Sequence, residues 1–406
     1  MLENKLIGAV ERRLRERNLP IRVRFWNGQE VSGSQQARVA LHLRSPSEIE
    51  LLAKPSLGKL AEHYVKQKID IDGDVHDCIT LLAELFGNEP PPEIKPRPRF
   101  APRLWARRRH TRDADRESIA FHYDVSNEFY ALWLDARRVY SCAYFHHEDD
   151  TLDRAQEQKL DHICRKLDLK RDEQFLDIGC GWGALLLWAV EHYGARGTGI
   201  TLSQNQLEHV QQIIRERGLE DRCKVRLLDY RDLAGETFDK IASVGMFEHV
   251  GIANLPVYFG KIHSLLRPGG LVLNHGITST RLDGAGGFSG GSEFIERYVF
   301  PDGELTHVST VIQEIARQGL EVRDTESLRP HYAKTLWHWV RRLEARADAA
   351  RALVGETRYR VWRTYMAGSA YAFESNFNSI YQILGGRPLA DGSLPIPLTR
   401  EYMYPR

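Results

Sequence analysis

The chain has 406 residues, 42% of them hydrophobic, and a formal net charge of +1. That length allows about two domains with ordinary cores, and the near-neutral balance supplies no global field that would select a nucleic acid or a membrane. No secretory signal and no bilayer-spanning apolar run stands out, and Cys78, Cys142, Cys164, Cys180 and Cys223 form no CxxC pair or metal-ligand cluster, which fits a reducing cytoplasm.

Residues 1–87 read as a small α+β domain. An amphipathic helix is expected over residues 2–17. Asn27-Gly28, between apolar-alternating residues 21–26 and 29–31, is a hairpin signal. Residues 37–43 alternate as a further strand, and 57–69 and 75–86 read as helices. Nothing here reads as catalytic, and His42, His63 and His76 suit surface or core positions.

Residues 88–118 read as a linker, opened by Pro90-Pro91-Pro92. Its middle is basic, with Lys95, Arg97, Arg99, Arg103, Arg107, Arg108, Arg109 and Arg112 around Leu104 and Trp105. Two readings stand side by side: a solvated tether, and a patch that touches anionic headgroups. Residues 121–130 and 140–145 then bring dense aromatics. Polar His122, Tyr123, Asp124, Ser126 and Asn127 interleave with them, which suits a lid over a partly apolar, partly polar site.

The chain is organised around residues 174–183. Phe175, Leu176 and Ile178 suit a short buried strand. Gly179, Gly181 and Gly183 allow a sharp turn and close approach to a ligand, and residues 184–189 favour helix. The spacing is not the dinucleotide G-x-G-x-x-G, and the lack of a following Lys-Ser/Thr argues against a P-loop. An α/β unit continues downstream. Residues 197–201 are a second strand, and Ser203 to Gln206 look like a capping box. Leu207, Val210, Ile213 and Ile214 give the next helix one apolar face. Strands follow at 225–228 and 238–244, then a helix over 255–266 stopped by Arg267-Pro268-Gly269-Gly270, then a strand over 271–275. This alternation predicts a parallel sheet with its ligand at the carboxyl ends of the strands. Asp177, Thr201, Asp229, Gly245 and His275 fall at or near those ends.

The D-x-G-x-G-x-G form resembles the first motif of S-adenosylmethionine-dependent methyltransferases. Residues 122–130 (HYDVSNEFY), Tyr140-Ser141-Cys142, 176–183, 199–206 (GITLSQNQ) and 245–251 (GMFEHVG) extend the likeness. In that order they resemble the cyclopropane-fatty-acyl-phospholipid synthases and the related mycolic acid cyclopropane synthases, over most of residues 120–385. The resemblance implies a Rossmann-like α/β methyltransferase domain over 119–406. Residues 1–87 resemble the lipid-associated α+β domain of the bacterial phospholipid-acting members, which the mycolic acid enzymes lack.

The resemblance also implies a cofactor site. Tyr140 and Ser141 would lie along S-adenosylmethionine. The turn from Phe175 through Asp177, Gly179 and Gly181 to Gly183 would hold its methionine and ribose portions. Thr201 and Gln206 would replace the acid that binds ribose in many methyltransferases, a role compatible with helix capping. Asp229 and Gly245 would border the site, with Tyr230 and Arg231 at the adenine. A bicarbonate is implied at Cys142, Glu248, His275, the backbone of Ile277, and Tyr332. Taken singly, these residues also read as a buried thiol, a helix start, a core histidine and packing. Two features depart from the family pattern: Ser369 stands where many members carry a cysteine, and residues 283–291 form an unusually glycine-rich loop.

The chemistry accounts for such a set. An alkene is a poor nucleophile, so the sulfonium methyl must be held close to the double bond. Aromatic faces stabilise the resulting cation, with Tyr144, Phe145, Phe247, Phe294, Tyr298 and Trp337 as candidates. Water must be excluded. A small replaceable base such as bicarbonate removes the proton without exposing a protein carboxylate to alkylation. The implied function is methyl transfer to the cis double bond of an unsaturated phospholipid acyl chain, with closure of a cyclopropane ring. Alternatives are a branched or methylene product, another substrate such as a small amine, and a non-catalytic lipid- or cofactor-binding homologue. The implied setting is peripheral, at the inner face of the cytoplasmic membrane, as a homodimer and without nucleic acid.

Overall fold

The computed structural model of the protein describes residues 2–49, 51, 56–86, 126–282, 291–299 and 304–404. The basic linker, residues 121–125 of the aromatic stretch and most of the glycine-rich loop lie outside the described residues.

The N-terminal unit carries helix α1 (Leu2–Glu16), strands β1 (Ile21–Arg24), β2 (Glu30–Ser32) and β3 (Val39–Leu43), helix α2 (Leu57–Val65), strand β4 (Ile69–Asp72) and helix α3 (Val75–Phe86). The sheet order is β2-β1-β3-β4. In β1, Ile21 and Val23 face the core while Arg22 and Arg24 face solvent, the period-two pattern of a half-buried strand. The expected hairpin forms, with Arg24 opposite Glu30 and Gly28 at φ 83° in its turn. The helix expected over 57–69 is shorter. It ends at Val65, Gln67 takes φ 57°, and Ile69–Asp72 adds an antiparallel strand beside β3. Ile-Asp-Ile-Asp alternates with period two, which is strand rather than helix periodicity.

After α4 (Asn127–Ala131) and α5 (Leu152–Lys166), the expected α/β unit follows. It comprises β5 (Gln174–Ile178), α6 (Ala184–Tyr193), β6 (Arg196–Thr201), α7 (Gln204–Glu216), β7 (Cys223–Leu227), β8 (Phe238–Val244), α8 (Leu255–Leu265) and β9 (Leu266–Ser279). The β5–β6, β6–β7, β5–β8 and β8–β9 pairs are parallel. Beyond them come α9 (Gly291–Tyr298), α10 (Val308–Arg317), β10 (Glu321–Ser327), α11 (Arg329–Ala345), α12 (Ala347–Glu374) and β11 (Asn378–Gly386). The sheet is therefore seven-stranded, in the order β10-β11-β9-β8-β5-β6-β7. β11 runs antiparallel to both neighbours. This is a Rossmann-like α/β sheet, mostly parallel, extended by two strands beyond the five expected. β9 is also longer than residues 271–275, because it begins ahead of Pro268 and continues to Ser279.

Within the aromatic stretch, Phe129 and Tyr130 are core residues and not part of a lid. Ser126 Oγ caps α4 by accepting from Phe129 N–H. Phe129, Tyr130 and Trp133 are fully buried. Their rings pack with Tyr140, Trp339 and Trp362, at centroid separations such as 5.4 Å for Trp133–Tyr140 and 5.5 Å for Trp133–Trp339. Tilted and edge-on contacts of this kind stabilise a core beyond simple area burial.

The long helix α12, kinked at Gly355, carries the N-terminal unit against this core. Arg360 donates to the carbonyls of Tyr64 (3.0 Å) and Ile69 (3.2 Å) and pairs with Asp70 (2.8 Å) and Glu356 (2.6 Å). Arg363 reaches Tyr64 Oη at 3.0 Å and Glu344 at 2.7 Å.

Candidate functional site

A cavity of about 170 Å³ opens at the carboxyl ends of β5 to β8. Tyr140, Ser141, Asp177, Gly179, Gly181, Thr201, Gln206, Asp229, Tyr230, Arg231 and Gly245 all border it. Phe175 and Gly183 do not. Phe175 is fully buried in β5, within the core under α6. Gly183 caps α6 at φ 84°, where a Cβ would meet Val210 at 2.9 Å, so it serves helix packing. Gly181, at φ 55°, differs: a Cβ there would meet no protein atom within 4 Å, so the open space belongs to the cavity.

Each strand end delivers its side chain by local bonding. Thr201 Oγ1 donates to Gln206 Oε1 at 2.7 Å and accepts from Ser203 N–H at 3.1 Å. Ser203 caps α7 through Gln206 N–H, but the Gln206 side chain turns to Thr201. The capping box therefore keeps one half, and the other half braces the cavity wall. Asp229 accepts from Arg231 N–H at 2.9 Å and holds its guanidinium at 2.6 Å, with the guanidinium carbon 5.6 Å from the Tyr230 ring centroid.

Several lining residues escaped the sequence reading, Lys159 above all. It is 2% exposed, borders the cavity, and donates to Ser141 Oγ at 2.9 Å. Burial holds its ammonium down at about 8, against the pull of the Asp135 and Asp177 carboxylates. Burial pushes the Asp177 carboxyl up to about 7, countered by Lys159 and the Leu186 N–H. The available signal was a lysine four residues from Ala155 and four from Ile163, on a buried helix stripe. Trp182 also lines the cavity, with Nε1 donating to Asn127 Oδ1 at 2.9 Å.

Glu248 lies on a short 3₁₀ turn just after β8. The β8–β9 ladder ends at Val244 opposite His275, and Glu248 Oε1 takes the next N–H, that of Ile277, at 2.7 Å. Burial pushes this carboxyl up to about 7. Gly276 permits the close approach, because a Cβ there would fall 1.9 Å from the Phe247 ring. Glu248 and Ile277 are thus joined directly. His275 and Cys142 bond elsewhere. His275 Nδ1 accepts from the Gln382 amide at 3.2 Å, and burial keeps the ring neutral. The proton of that neutral ring then sits on Nε2. Cys142 lies 3.2 Å from the Ala143 carbonyl and 3.8 Å from that of Leu328, with its thiol pushed up by burial. Tyr332 is buried, its ring 4.7 Å from Phe373. Among the described residues, Glu248 Oε2 and His275 Nε2 are buried without a hydrogen-bond partner.

The aromatic faces expected around the reacting centre do not border this cavity. Tyr144 stacks on His162 and donates to Glu326, Phe145 stacks on His331, and Trp337 donates to Glu374. Phe247 packs under Gly276, while Phe294 and Tyr298 pack together away from the cavity. Among the described residues, the rings that border it are those of Tyr140, Trp182, Tyr230 and His249. No metal-binding cluster of His, Cys, Asp or Glu occurs among the described residues.

Residues 110–383 match the family model of mycolic acid cyclopropane synthetase, and residues 14–87 match a domain of unknown function. The chain is 46% identical to a probable fatty acid methyltransferase of Pseudomonas putida, over 96% of this chain and 98% of that protein. Cyclopropane mycolic acid synthase 1 of Mycobacterium tuberculosis is 37% identical, over 65% of this chain and 95% of its own length. A crystal structure of the mycolic acid cyclopropane synthase CmaA1, complexed with SAH and CTAB, superposes with TM-score 0.64 at 35% identity, covering 67% of this chain and 98% of that one. Coclaurine N-methyltransferase, at 21% identity and TM-score 0.62, shares the fold. The family match spans well over half of the sequence, and the chain belongs to the mycolic acid cyclopropane synthetase family.

Proposed function

We propose that this protein is an S-adenosylmethionine-dependent methyltransferase that acts on the cis double bond of an unsaturated phospholipid acyl chain and closes a cyclopropane ring, with bicarbonate as the base. The observation that carries the reading is the cavity at the β5–β8 ends, in a family member whose similarity to the probable fatty acid methyltransferase of Pseudomonas putida runs nearly end to end. S-adenosylmethionine, when bound, supplies an electrophilic methyl group. The residues present fit it. Gly181 leaves room for it, Asp177 and Lys159 offer opposite charges to an amino-acid zwitterion, and Thr201 with Gln206 offers a polar wall for hydroxyls.

Bicarbonate fits the two orphaned atoms. Glu248 Oε2 accepts a hydroxyl proton, and His275 Nε2–H donates to an anionic oxygen. The Ile277 N–H is engaged by Glu248, so its part is to fix that carboxylate. Tyr332 adds a donor. The buried Cys142 thiol stays protonated and supports the site without acting as a nucleophile. The same reading makes the protein a peripheral homodimer at the inner membrane face. No helix among the described residues is long and apolar enough to cross a membrane.

Mass spectrometry of lipids from cells expressing the protein tests the reading. The expected product gains one CH₂ and loses its double bond. The same gain with an alkene retained would make it a methylene-forming or alkene-shifting enzyme. Unchanged lipids, with the cofactor still bound, would overturn the catalytic reading.

A further inference from the structure

Behind His275 runs a buried polar row. His275 of β9 stands opposite Gln382 of β11, and Gln382 stands opposite Glu326 of β10. Residues directly opposite one another in an antiparallel ladder share a face of the sheet, so the three side chains form a line across three strands. His275 and Gln382 are wholly buried.

The line ends in a charged cluster. Glu326 meets His162 Nε2 at 2.8 Å, Lys166 Nζ at 2.6 Å and Tyr144 Oη at 3.2 Å. Lys166, itself fully buried, also pairs with Asp324 at 3.1 Å, and Asp324 pairs with Arg400 at 2.6 Å. The Met403 carbonyl lies 3.2 Å from His162 Nδ1. Buried ion pairs of this kind are weak sources of stability, because desolvation offsets most of their attraction. Stability alone therefore does not account for the cluster.

Gln382 links the cluster to His275. Its amide lies 3.2 Å from His275 Nδ1, and its Oε1 has no partner among the described residues. A glutamine amide presents donors at one end and an acceptor at the other, so its surroundings decide which end faces the ring. The Glu326 oxygens are already taken by Tyr144, His162 and Lys166. The Lys166 ammonium has one more N–H than Asp324 and Glu326 occupy, and its charge attracts the amide oxygen. The NH₂ end is then left for His275.

We infer that Gln382 is a positioning residue of the bicarbonate site: steered by the Lys166–Glu326 cluster, it donates to His275 Nδ1 and keeps the ring proton on Nε2, aimed at the anion. The inference rests on the bicarbonate reading above. A ring protonated on Nδ1 instead would turn a lone pair toward the anion and repel it. β10 and β11 thus serve the reaction although neither strand lines the β5–β8 cavity.

Full-length protein labelled with nitrogen-15 histidine tests this, with the His275 signals identified by their loss in His275→Gln. Ring nitrogen shifts separate a bare nitrogen from a protonated one. The wild type should show Nδ1 bare and Nε2 protonated. Gln382→Glu sets a carboxylate oxygen against Nδ1 and should bring a proton onto it. Gln382→Met removes the donor at similar volume. Loss of the partner that orients a metal-bound histidine costs about 10- to 100-fold, and the bicarbonate concentration giving half-maximal turnover on unsaturated phosphatidylglycerol vesicles should rise by a like factor. The rate should recover as bicarbonate is raised, and S-adenosylhomocysteine affinity by calorimetry should stay at the wild-type value. A wild-type ring protonated on Nδ1, a bare Nδ1 in Gln382→Glu, or a wild-type bicarbonate requirement in Gln382→Met would overturn the inference. So would a parallel loss of S-adenosylhomocysteine affinity, which marks a merely structural role. If wild-type turnover ignores bicarbonate, the base reading fails, while the ring shifts still decide whether Gln382 sets the tautomer.

Discussion

Asp177 and Glu248 are both carboxyls that burial holds near neutrality, and this sets a pH dependence. For Glu248 the ordinary value is 4.5 and the folded value about 7. Between those values the folded state binds the proton more tightly than the unfolded state, so stability falls as pH rises through the window. Glu248→Gln removes that loss and retains an oxygen for the Ile277 N–H. In denaturant titrations without ligand, the variant should match wild type at pH 4 and exceed it at pH 8 by up to about 3 kcal/mol. An equal offset at both pH values would refute the burial argument. The same variant should turn over ~100- to 10,000-fold more slowly, as loss of a general-base function does, with S-adenosylhomocysteine affinity unchanged. Turnover at the wild-type rate would remove Glu248 from the deprotonation step. Gly181→Val places a branched side chain in the open cavity at φ 55°, so calorimetry should show cofactor affinity lost while the melting transition persists. Lys159→Met should weaken S-adenosylhomocysteine about tenfold or more, by loss of a charge-assisted contact. Binding of methylthioadenosine, which lacks the amino-acid portion, should not change. Equal weakening of both ligands would mean that Lys159 only supports the cavity wall.

Among the elements, the turn after β5 and the alternation from β5 to β9 were legible because local signals agree there: apolar strand, glycines at positive φ, capped helix. β10 and β11 escaped because their membership depends on pairing with β9 from far along the chain, and pairing leaves no local mark. The rings at 129 and 130 read as a lid in the sequence because interleaved polar residues do not reveal burial. Most of the cavity wall was legible through motif resemblance. Lys159 was not, since a buried lysine scores as a surface residue until its carboxylate neighbours are placed. The six candidate cation-stabilising rings stand outside the lining of the β5–β8 cavity, since aromatic identity says nothing of which cavity a ring faces. α12 shows the same dependence on long-range contacts, and Arg360 is its anchor to β4. Arg360→Met would leave Asp70 with Arg44 alone and remove the side-chain donor to two carbonyls, at a cost of about 1–3 kcal/mol. Hydrogen exchange should quicken in α2 and β4 before the rest of the fold. Unchanged protection there would show that docking of the N-terminal unit does not rest on Arg360.

For the whole molecule, the near-neutral net charge hides an uneven sequence. Eight basic residues between Lys95 and Arg112 stand in one short stretch. If that stretch meets the bilayer, binding to anionic vesicles should weaken as salt rises, and replacing Arg107, Arg108 and Arg109 with Ser should weaken it further. Equal binding to neutral and anionic vesicles would rule out the electrostatic contribution. A different consequence follows from the place of β11, the last strand among the described residues yet an interior strand of its sheet. During synthesis, β9 is complete about a hundred residues before the strand that covers its free side begins. The nascent chain therefore carries an open edge through much of elongation, the kind of surface that recruits other strands. A message cut short before residue 378 would leave the ribosome with that edge permanently bare. Its product should enter inclusion bodies even though every residue of the β5–β8 cavity has already been made.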